Sequence, residues 1–348
     1  AVAGGAAAAI PARPRAGRTR DPAAYDQLLR GNYYLSQRSP RSLVRAVEAY
    51  TEAVRRDPSF ALAHGRLAYA HGLLLDWGWS YGGLPRDSIA ARAASAAERA
   101  IQLDSTIAEA WQVRGQVARY RDPRTMAGVL EANQRAVALD SANAEVRHEF
   151  AMVLRLLGDD SAARVQLREA VALEPDRPMS LVHLGWIDAA AERYAEARRW
   201  FDSAIVVHRG FYQAYAERAA LRLAMGDTAG ARADAETAVR LRPAEDRFSG
   251  ESVLLALARR TGDTAGARQR LVGLRAHAPR PDTVQVHAAI TWAAALVAAG
   301  DYEQSIEFLE RVRADPPHLR LHLRDVHFVA IRSDPRFRRL TSGPRGRA

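Results

Sequence analysis

Three histidines near the C-terminus have the spacing that comes closest to a metal site. His318 and His322 are four residues apart, which on a helix places both imidazoles on one face, and Asp325 lies close behind them. His327 follows His322 by five residues and so leaves that face, and the glutamate of an HExxH motif is absent. We therefore predict a terminal helix that packs or faces solvent, with no metal ion and no other cofactor.

Other residues that could catalyse a reaction do not form a known catalytic motif. Residues 322–325 read HLRD, as in a protein-kinase catalytic loop, but the sequence has no DFG motif, no glycine-rich loop and no lysine. Cysteine and a GxSxG motif are absent too, which excludes cysteine nucleophiles, thiolate metal sites and a hydrolase elbow. Acidic pairs such as Asp159-Asp160 fit helix caps and solvated faces. The sequence predicts a protein that is not an enzyme.

A loop at residues 75–88 presents aromatic side chains. Trp77, Trp79 and Tyr81 alternate with glycine and serine in the stretch LDWGWSYGGLPRDS. Aromatic residues on a loop are good anchors for a binding partner. They are equally suited to packing a long loop onto its own helices. We favour the packing interpretation and keep ligand contact as the alternative, which makes this loop a second candidate binding site.

A repeat organises the elements that carry these residues. Segments typical of helix ends recur as RRDP58, QLDS105, ALDS141, ALEP175, VVHR209, RLRP243, AHAP279 and ADPP317. They are spaced by 47, 36, 34, 34, 34, 36 and 38 residues. Proline after a helical stretch ends the helix because it lacks the N–H and its ring clashes with the preceding turn. The whole chain is therefore expected to be a tandem array.

Each repeat divides into two helices with small residues at fixed positions. Alanines occur five residues before most repeat ends, as Ala53, Ala100, Ala136, Ala170, Ala204 and Ala238. Small side chains there let a neighbouring helix approach closely. Gly-Asp pairs begin at Gly158, Gly226, Gly262 and Gly300, each 17 residues before an end. Glycine can end the first helix in the left-handed conformation, and the aspartate can cap the second.

These residues resemble the tetratricopeptide repeat family. Trp111 with Gly115, and Leu181 with Leu184-Gly185, match its first helix, while Ala197, Phe201 and Ala204 match its second helix and Asp57-Pro58 its ending. Asn133, where an aromatic is expected, and Arg209, in place of proline, depart from the pattern. The resemblance implies an all-α, right-handed superhelical solenoid of about eight helix pairs with a C-terminal capping segment. We expect a Pro/Ala-rich basic linker over 1–20, the repeat array over 21–317, and a helical cap with a basic tail over 318–348.

The two ends of the array resemble a narrower group. The stretch from AYDQLL to RLAYAH and the closing IRSDPRFRRL are similar to the repeat arrays of bacterial multidomain regulators, which follow TolB-like, winged-helix, adenylate-cyclase or serine/threonine kinase domains. This resemblance implies a module of a bacterial regulator, with the cytoplasm favoured and a periplasmic or membrane-tethered location left open. The alternative function is therefore the sensor portion of a signalling enzyme. The apolar opening AVAGGAAAAI is interpreted as a linker rather than as the end of a membrane helix or signal peptide.

The resemblance also implies a binding groove lined by the first helix of each repeat. Carrying over the inward positions, and adding the neighbouring Tyr120, gives the candidate ligand-binding residues Gln112, Gln116, Arg119, Tyr120, His148, Met152, Arg155 and Trp186. Arginine, methionine and aromatic residues are enriched in interface cores. The lysine-and-asparagine clamp that some family members use for terminal carboxylates is not matched. We predict a non-catalytic scaffold that binds a protein or peptide segment, partly acidic in character.

The net charge of +10 lies at the two ends of the chain. Residues 1–20 carry +4, residues 311–348 carry +7, and the remainder carries −1. A nucleic-acid partner calls for a basic stripe along the folded surface, so nucleic acid is not the expected partner. No apolar run approaches the roughly 20 residues that span a bilayer. Self-association of the solenoid is left open.

Overall fold

A computed structural model of the 348-residue chain describes residues 19–37, 39–77, 81–122, 126–242, 248–281, 284, 286–312 and 316–342. The chain divides into two compact units, Ala1–Val117 and Ala118–Ala348. The described residues form helices and turns without a strand. The all-α class predicted from the repeat is therefore confirmed.

The first unit holds α1 (Pro22–Ser36), α2 (Pro40–Arg56), α3 (Ala61–Trp77), α4 (Arg86–Leu103) and the start of α5 (Ala108–Arg121). The second unit continues with α6 (Met126–Leu139), α7 (Ala144–Leu156), α8 (Asp160–Leu173), α9 (Pro178–Ala190), α10 (Tyr194–Val207), α11 (Tyr212–Ala224), α12 (Thr228–Leu241), α13 (Glu251–Arg260), α14 (Thr264–Arg275), α15 (Val286–Ala299) and α16 (Tyr302–Arg311). It closes with α17 (Pro316–His322), the 3₁₀ helix η1 (Val326–Ile331) and α18 (Pro335–Thr341).

The helices α1 to α16 follow one another along the described chain in the order that the repeat predicts for eight helix pairs. Six of the eight even-numbered helices end two residues before the predicted repeat end, from Arg56 through Leu241. Within each unit, most helices that follow one another in sequence pack together, so stability is distributed along neighbouring repeats. The architecture within each unit is one of stacked helix pairs.

In four of the pairs, a glycine sets the turn between the two helices. Gly158, Gly226, Gly262 and Gly300 have φ values between 77° and 87°, a conformation that suits glycine because a Cβ would be strained there. Asp159, Asp227 and Asp263 then cap the next helix, each accepting a backbone N–H bond of 2.8–2.9 Å.

Asp301 departs from this capping pattern. Its side chain makes no capping hydrogen bond to α16, and its Oδ2 accepts a 2.7 Å bond from Arg275. The predicted cap is wrong at this position, although the helix begins where the repeat places it.

The predicted small-residue seam lies in the core. Ala170, Ala204 and Ala238 are fully buried where each second helix faces its neighbours. Gly185 on α9 has the same role within a pair, since a Cβ built there would collide with the ring of Phe201 on α10. Small residues thus set how closely the helices approach one another.

Candidate functional site

Alternate helices of the second unit share one layer, and a chain segment lies on it. Helices α9, α11, α13 and α15 each contact the next odd-numbered helix directly, in addition to the partner of their own pair. Helix α17 contacts α7 and α15, while η1 contacts α11 and α15. We call residues 316–331 the C-terminal segment, and the faces of α7, α9 and α11 against it the inner surface.

One side of the C-terminal segment is apolar and completes the last helix pair. Leu319, Leu323, Phe328 and Ile331 are buried in one cluster with residues of α15 and α16. Phe337 of α18 closes the same cluster and stacks on Phe328 at 5.6 Å between ring centroids. This side acts as the cap that the sequence predicted for the end of the array.

The other side of the C-terminal segment is polar and faces the inner surface. His322 meets the Trp186 indole edge-on, with 5.4 Å between the ring centroids. Arg324 donates its Nη2 towards Asp160 Oδ2 at 2.6 Å. Val326 packs against the clusters that contain Leu181 of α9 and Val253 of α13. The segment therefore contacts side chains from several repeats.

Arg155 sits at the centre of the inner surface. It is only 3% exposed, its Nε lies 3.7 Å from Asp160 Oδ1, and its guanidinium carbon lies 5.8 Å from the centre of the Trp186 ring. Burial lowers the pKa of Arg155, while the negative charges of Asp325 and Asp160 act in the opposite direction. The candidate arginine is thus brought together with the candidate tryptophan and with an acidic residue of the C-terminal segment.

A row of rings extends this site along the inner surface. His148 Nδ1 and the Ser180 hydroxyl are 2.8 Å apart, and the His148 ring is 5.0 Å from that of His183. His183 in turn stacks on Trp186 at 4.7 Å. The predicted residues His148, Arg155 and Trp186 therefore belong to one continuous cluster, linked by His183.

Glu217 and His327 meet at the far end of the cluster. His327 Nε2 lies 3.9 Å from Glu217 Oε2, and each side chain keeps about 20% of its surface exposed. Burial, followed by the nearby charge of Asp325, raises the pKa of Glu217 to about 8. Burial also lowers the pKa of His327 below its usual value. At neutral pH both groups are therefore mainly uncharged, and the contact is a weak one.

Met152, Arg119 and Tyr120 occupy other parts of the second unit. Met152 packs against the apolar cluster of α7, α8 and α9 that contains Leu167. Arg119 and Tyr120 lie half-buried in the last turn of α5. Their part in binding stays a prediction.

Gln112 and Gln116 belong to the first unit. Gln116 donates a 3.0 Å hydrogen bond to the Gly72 carbonyl of α3, and Gln112 is 4% exposed. On the same face of α5, Glu109 pairs with Arg66 at 3.4 Å. These polar residues tie α5 to α3, and a ligand contact by either glutamine stays a prediction.

The aromatic loop folds onto its own helix where the structure describes it. The Tyr81 ring meets His71 of α3 at 5.7 Å, and Arg86 donates a 2.6 Å hydrogen bond to the Leu75 carbonyl. Trp79 and the side chain of Trp77 lie outside the described residues. The described contacts agree with packing of the loop on α3.

The histidines of the metal hypothesis have separate roles in the described part of the chain. His322 Nδ1 faces Asp325 Oδ2 at 3.3 Å, while His327 turns to Glu217, and the side chain of His318 lies outside the described residues. Among the described residues, no group of three or more His, Asp or Glu is arranged to hold a metal ion. The helices described are also all too short or too polar to cross a membrane.

Sequence reasoning missed the partners that face Arg155 and Trp186. Asp160 was interpreted as part of an acidic turn, and His183 and Glu217 carried no motif. The available signal was the charged pair Arg324-Asp325 within the otherwise largely apolar stretch LRLHLRDVHFVAI. Charges flanked by core residues need partners when the segment is buried.

Several solved structures of other proteins are similar to this chain in fold. A monomeric mutant of IFIT1 with Gppp-AAAA matches with a TM-score of 0.61 at 13% identity, over 83% of this chain and 70% of that one. Yeast Tom70 matches with a TM-score of 0.53 at 17% identity, over 95% of this chain and 69% of that one. The TPR protein TTC0263 of Thermus thermophilus has a TM-score of 0.46 at 18% identity, over 58% of this chain and all of that one.

At these identities the likeness concerns the fold alone, which agrees with the helix-pair repeat predicted from the sequence. No protein-family model matches the sequence, and no curated protein sequence matches it either.

Proposed function

We propose that the chain is a protein-binding scaffold that holds a segment of another protein on the inner surface of its second unit. The observation that supports this most is that the inner surface already holds a protein segment, which contacts Asp160, Trp186 and Glu217. The candidate residues Gln112 and Gln116 lie in the first unit, and the proposal does not depend on them.

The inner surface would recognise the side chains of its ligand, not the ligand backbone. The segment on the inner surface is helical and 3₁₀-helical, so its backbone groups bond largely within the segment. Specificity then comes from ion pairs and ring contacts. A buried arginine beside an indole favours a ligand with a carboxylate, because a charge-assisted bond gains strength where water is excluded. The ligand expected here is a short, partly acidic segment.

The experiment first selects peptides that bind the chain and then tests whether they bind at the inner surface. A library of random 12-residue peptides is displayed and selected on the full chain. It is selected in parallel on Arg324→Glu/Asp325→Arg, in which the chain's own segment is repelled from the inner surface. Selected peptides are then titrated against Arg155→Gln and Trp186→Ala by fluorescence anisotropy. Circular dichroism melts establish that each variant is folded.

Binding at the inner surface should weaken by about tenfold or more in both variants. Trp111→Ala is the matched control. Trp111 lies in the first unit, and its indole N–H donates a hydrogen bond to the backbone carbonyl of Ser105. If the selected peptides bind Arg155→Gln and Trp186→Ala as tightly as the wild type, the inner surface is not the binding site.

A further inference from the structure

We propose that the C-terminal segment is an internal ligand that closes the inner surface, and that a partner competes with it by presenting the same chemistry. That chemistry is a basic–acidic pair followed by an apolar side chain, as in Arg324, Asp325 and Val326. This inference rests on the proposed function, because it concerns the same surface.

The first reason is that the C-terminal segment does more than a cap requires. Covering α15 and α16 needs only its apolar side, with Leu323 and Phe328. The segment nevertheless directs His322, Arg324 and His327 at α8, α9 and α11, which belong to earlier repeats. These polar contacts add nothing to the burial of the last helix pair.

The second reason is the arrangement of four charges. Arg324 pairs with Asp160, and Asp325 acts on Arg155. On the inner surface itself, Arg155 and Asp160 are already 3.7 Å apart. Breaking a buried ion pair is usually costly because it leaves one charge buried without a partner. Removing the segment avoids this cost, since Arg155 and Asp160 still face each other. The surface is suited to exchange one segment for another.

The third reason is that the polar contacts are incomplete. Arg155 Nη1 is buried without a hydrogen-bond partner among the described residues, and the Arg155–Asp160 contact is too long for a hydrogen bond. A buried polar atom without a partner lowers the stability of the state that buries it. The polar side of the segment is thus held less firmly than the apolar side.

Contacts within the terminal region also fix the turn that carries the charged pair. Arg332 donates to the carbonyls of Arg324 and Asp325 at 2.7 and 3.2 Å, and His322 faces Asp325 from the other side. A preorganised segment loses less entropy on binding, so it competes effectively with a flexible partner.

The experiment measures binding of the segment in trans. The probe is a fluorescein-labelled synthetic peptide of residues 319–333, titrated into the wild-type chain and into Arg324→Glu/Asp325→Arg. The charge reversal keeps the apolar residues that complete α15 and α16, so the fold is retained. Arg339→Glu is the matched control, because Arg339 is exposed on α18. Hydrogen–deuterium exchange of residues 323–331 reports whether the chain's own segment has left the inner surface.

We expect faster exchange in the charge-reversal variant, and peptide binding at least about tenfold tighter than to the wild type or to Arg339→Glu. Adding Arg155→Gln to the charge-reversal variant should remove the gain. Equal affinity for wild type and variant would overturn the inference, and so would an absence of binding to both. The proposed function is judged separately, since library peptides that bind both chains equally through Arg155 would support it while refuting the internal ligand.

Discussion

Arg324 Nη2 lies 2.6 Å from Asp160 Oδ2, and this ion pair joins the C-terminal segment to the first residue of α8. Asp160 is 19% exposed and Arg324 is 43% exposed, so the pair is partly screened by solvent. Asp160 also stands in the first turn of a helix, where a negative charge is favourable without any partner. The carboxylate therefore has two further favourable neighbours besides Arg324, the N-terminus of α8 and Arg155 at 3.7 Å.

A charge reversal tests this contact. Arg324→Glu places two carboxylates together, so we expect amide exchange in residues 323–331 to increase by about tenfold. Adding Asp160→Asn removes the repulsion without placing a second cation beside Arg155, and should bring exchange back towards the wild-type rate. Hydrogen–deuterium exchange measured by mass spectrometry gives both values, with Asp160→Asn alone as the reference for the cost to α8. Purely additive effects of the two substitutions would show that the residues do not interact.

The pKa of Glu217 predicts how stability depends on pH. Its folded pKa of about 8 exceeds the ordinary value of 4.5, so between these values the native state keeps a proton that the unfolded chain releases. Stability therefore falls as pH rises through this range, by at most about 1.4 kcal/mol per unit. The effect of His327 on stability has the opposite direction with pH. Because its pKa is lowered in the folded state, it reduces stability only when the pH falls below the ordinary histidine value of 6.5. Between pH 6.5 and 8, Glu217 is accordingly the group of this pair that decides the slope.

Glu217→Gln isolates this effect. Glutamine keeps the shape but cannot ionise, so the decline in the free energy of unfolding from about pH 6.5 to 8 should flatten. Urea unfolding at several pH values measures it, with His327→Gln as a variant that should keep the decline. An equally steep decline in Glu217→Gln would assign the pH dependence to other groups.

The fold could be predicted from sequence because its determinants are local and repeated. The left-handed glycines, such as Gly158 and Gly226, and the buried Ala204 recur at fixed spacing, and each acts on a neighbouring helix. The predicted cap is absent at Asp301, whose carboxylate accepts a bond from Arg275, 26 residues away in sequence. A local pattern does not predict a contact with a distant residue.

The candidate site was predictable only in part. The resemblance to tetratricopeptide repeats implied inward positions, and counting these positions along the repeat gave Arg155 and Trp186 as groove residues. The C-terminal segment that lies on them follows the last repeat, where the periodic pattern has ended. Its docking depends on contacts such as Trp186 with His322 between distant parts of the chain. No local spacing encodes these contacts.

The small-residue seam gives a packing prediction. Ala204 is fully buried at the helix crossing, so Ala204→Leu should overpack the core and destabilise the chain by about 1–3 kcal/mol. Ala233 on α12 is exposed, and Ala233→Leu adds the same side chain in solvent. Chemical denaturation compares the two variants. An unchanged midpoint in Ala204→Leu would mean that the assigned repeat register is wrong.

Substitution by alanine should destabilise the chain to different extents at two glycines. At Gly185 the added Cβ collides with the buried Phe201 ring, so Gly185→Ala should destabilise by about 1–3 kcal/mol despite alanine's better helix propensity. At Gly158 nothing lies within 4 Å, and only the φ of 85° opposes a side chain. Gly158→Ala should then cost about 1 kcal/mol. Thermal melts of both variants measure the difference, and a stabilised Gly185→Ala would refute the close packing of α9 on α10.

Removing residues 318–348 tests the apolar side of the C-terminal segment. The deletion takes away Leu319, Leu323 and Phe328 and exposes Ile290 and Leu309 of the last helix pair to water. We expect α15 and α16 to fray and the protein to associate, because terminal repeats need a cover over their apolar face. Circular dichroism and light scattering over a concentration series measure both effects. Arg324→Glu/Asp325→Arg is the control, since it opens the polar side alone and should stay monomeric. A truncated chain with undiminished helicity and no association would show that the last pair is stable without the segment.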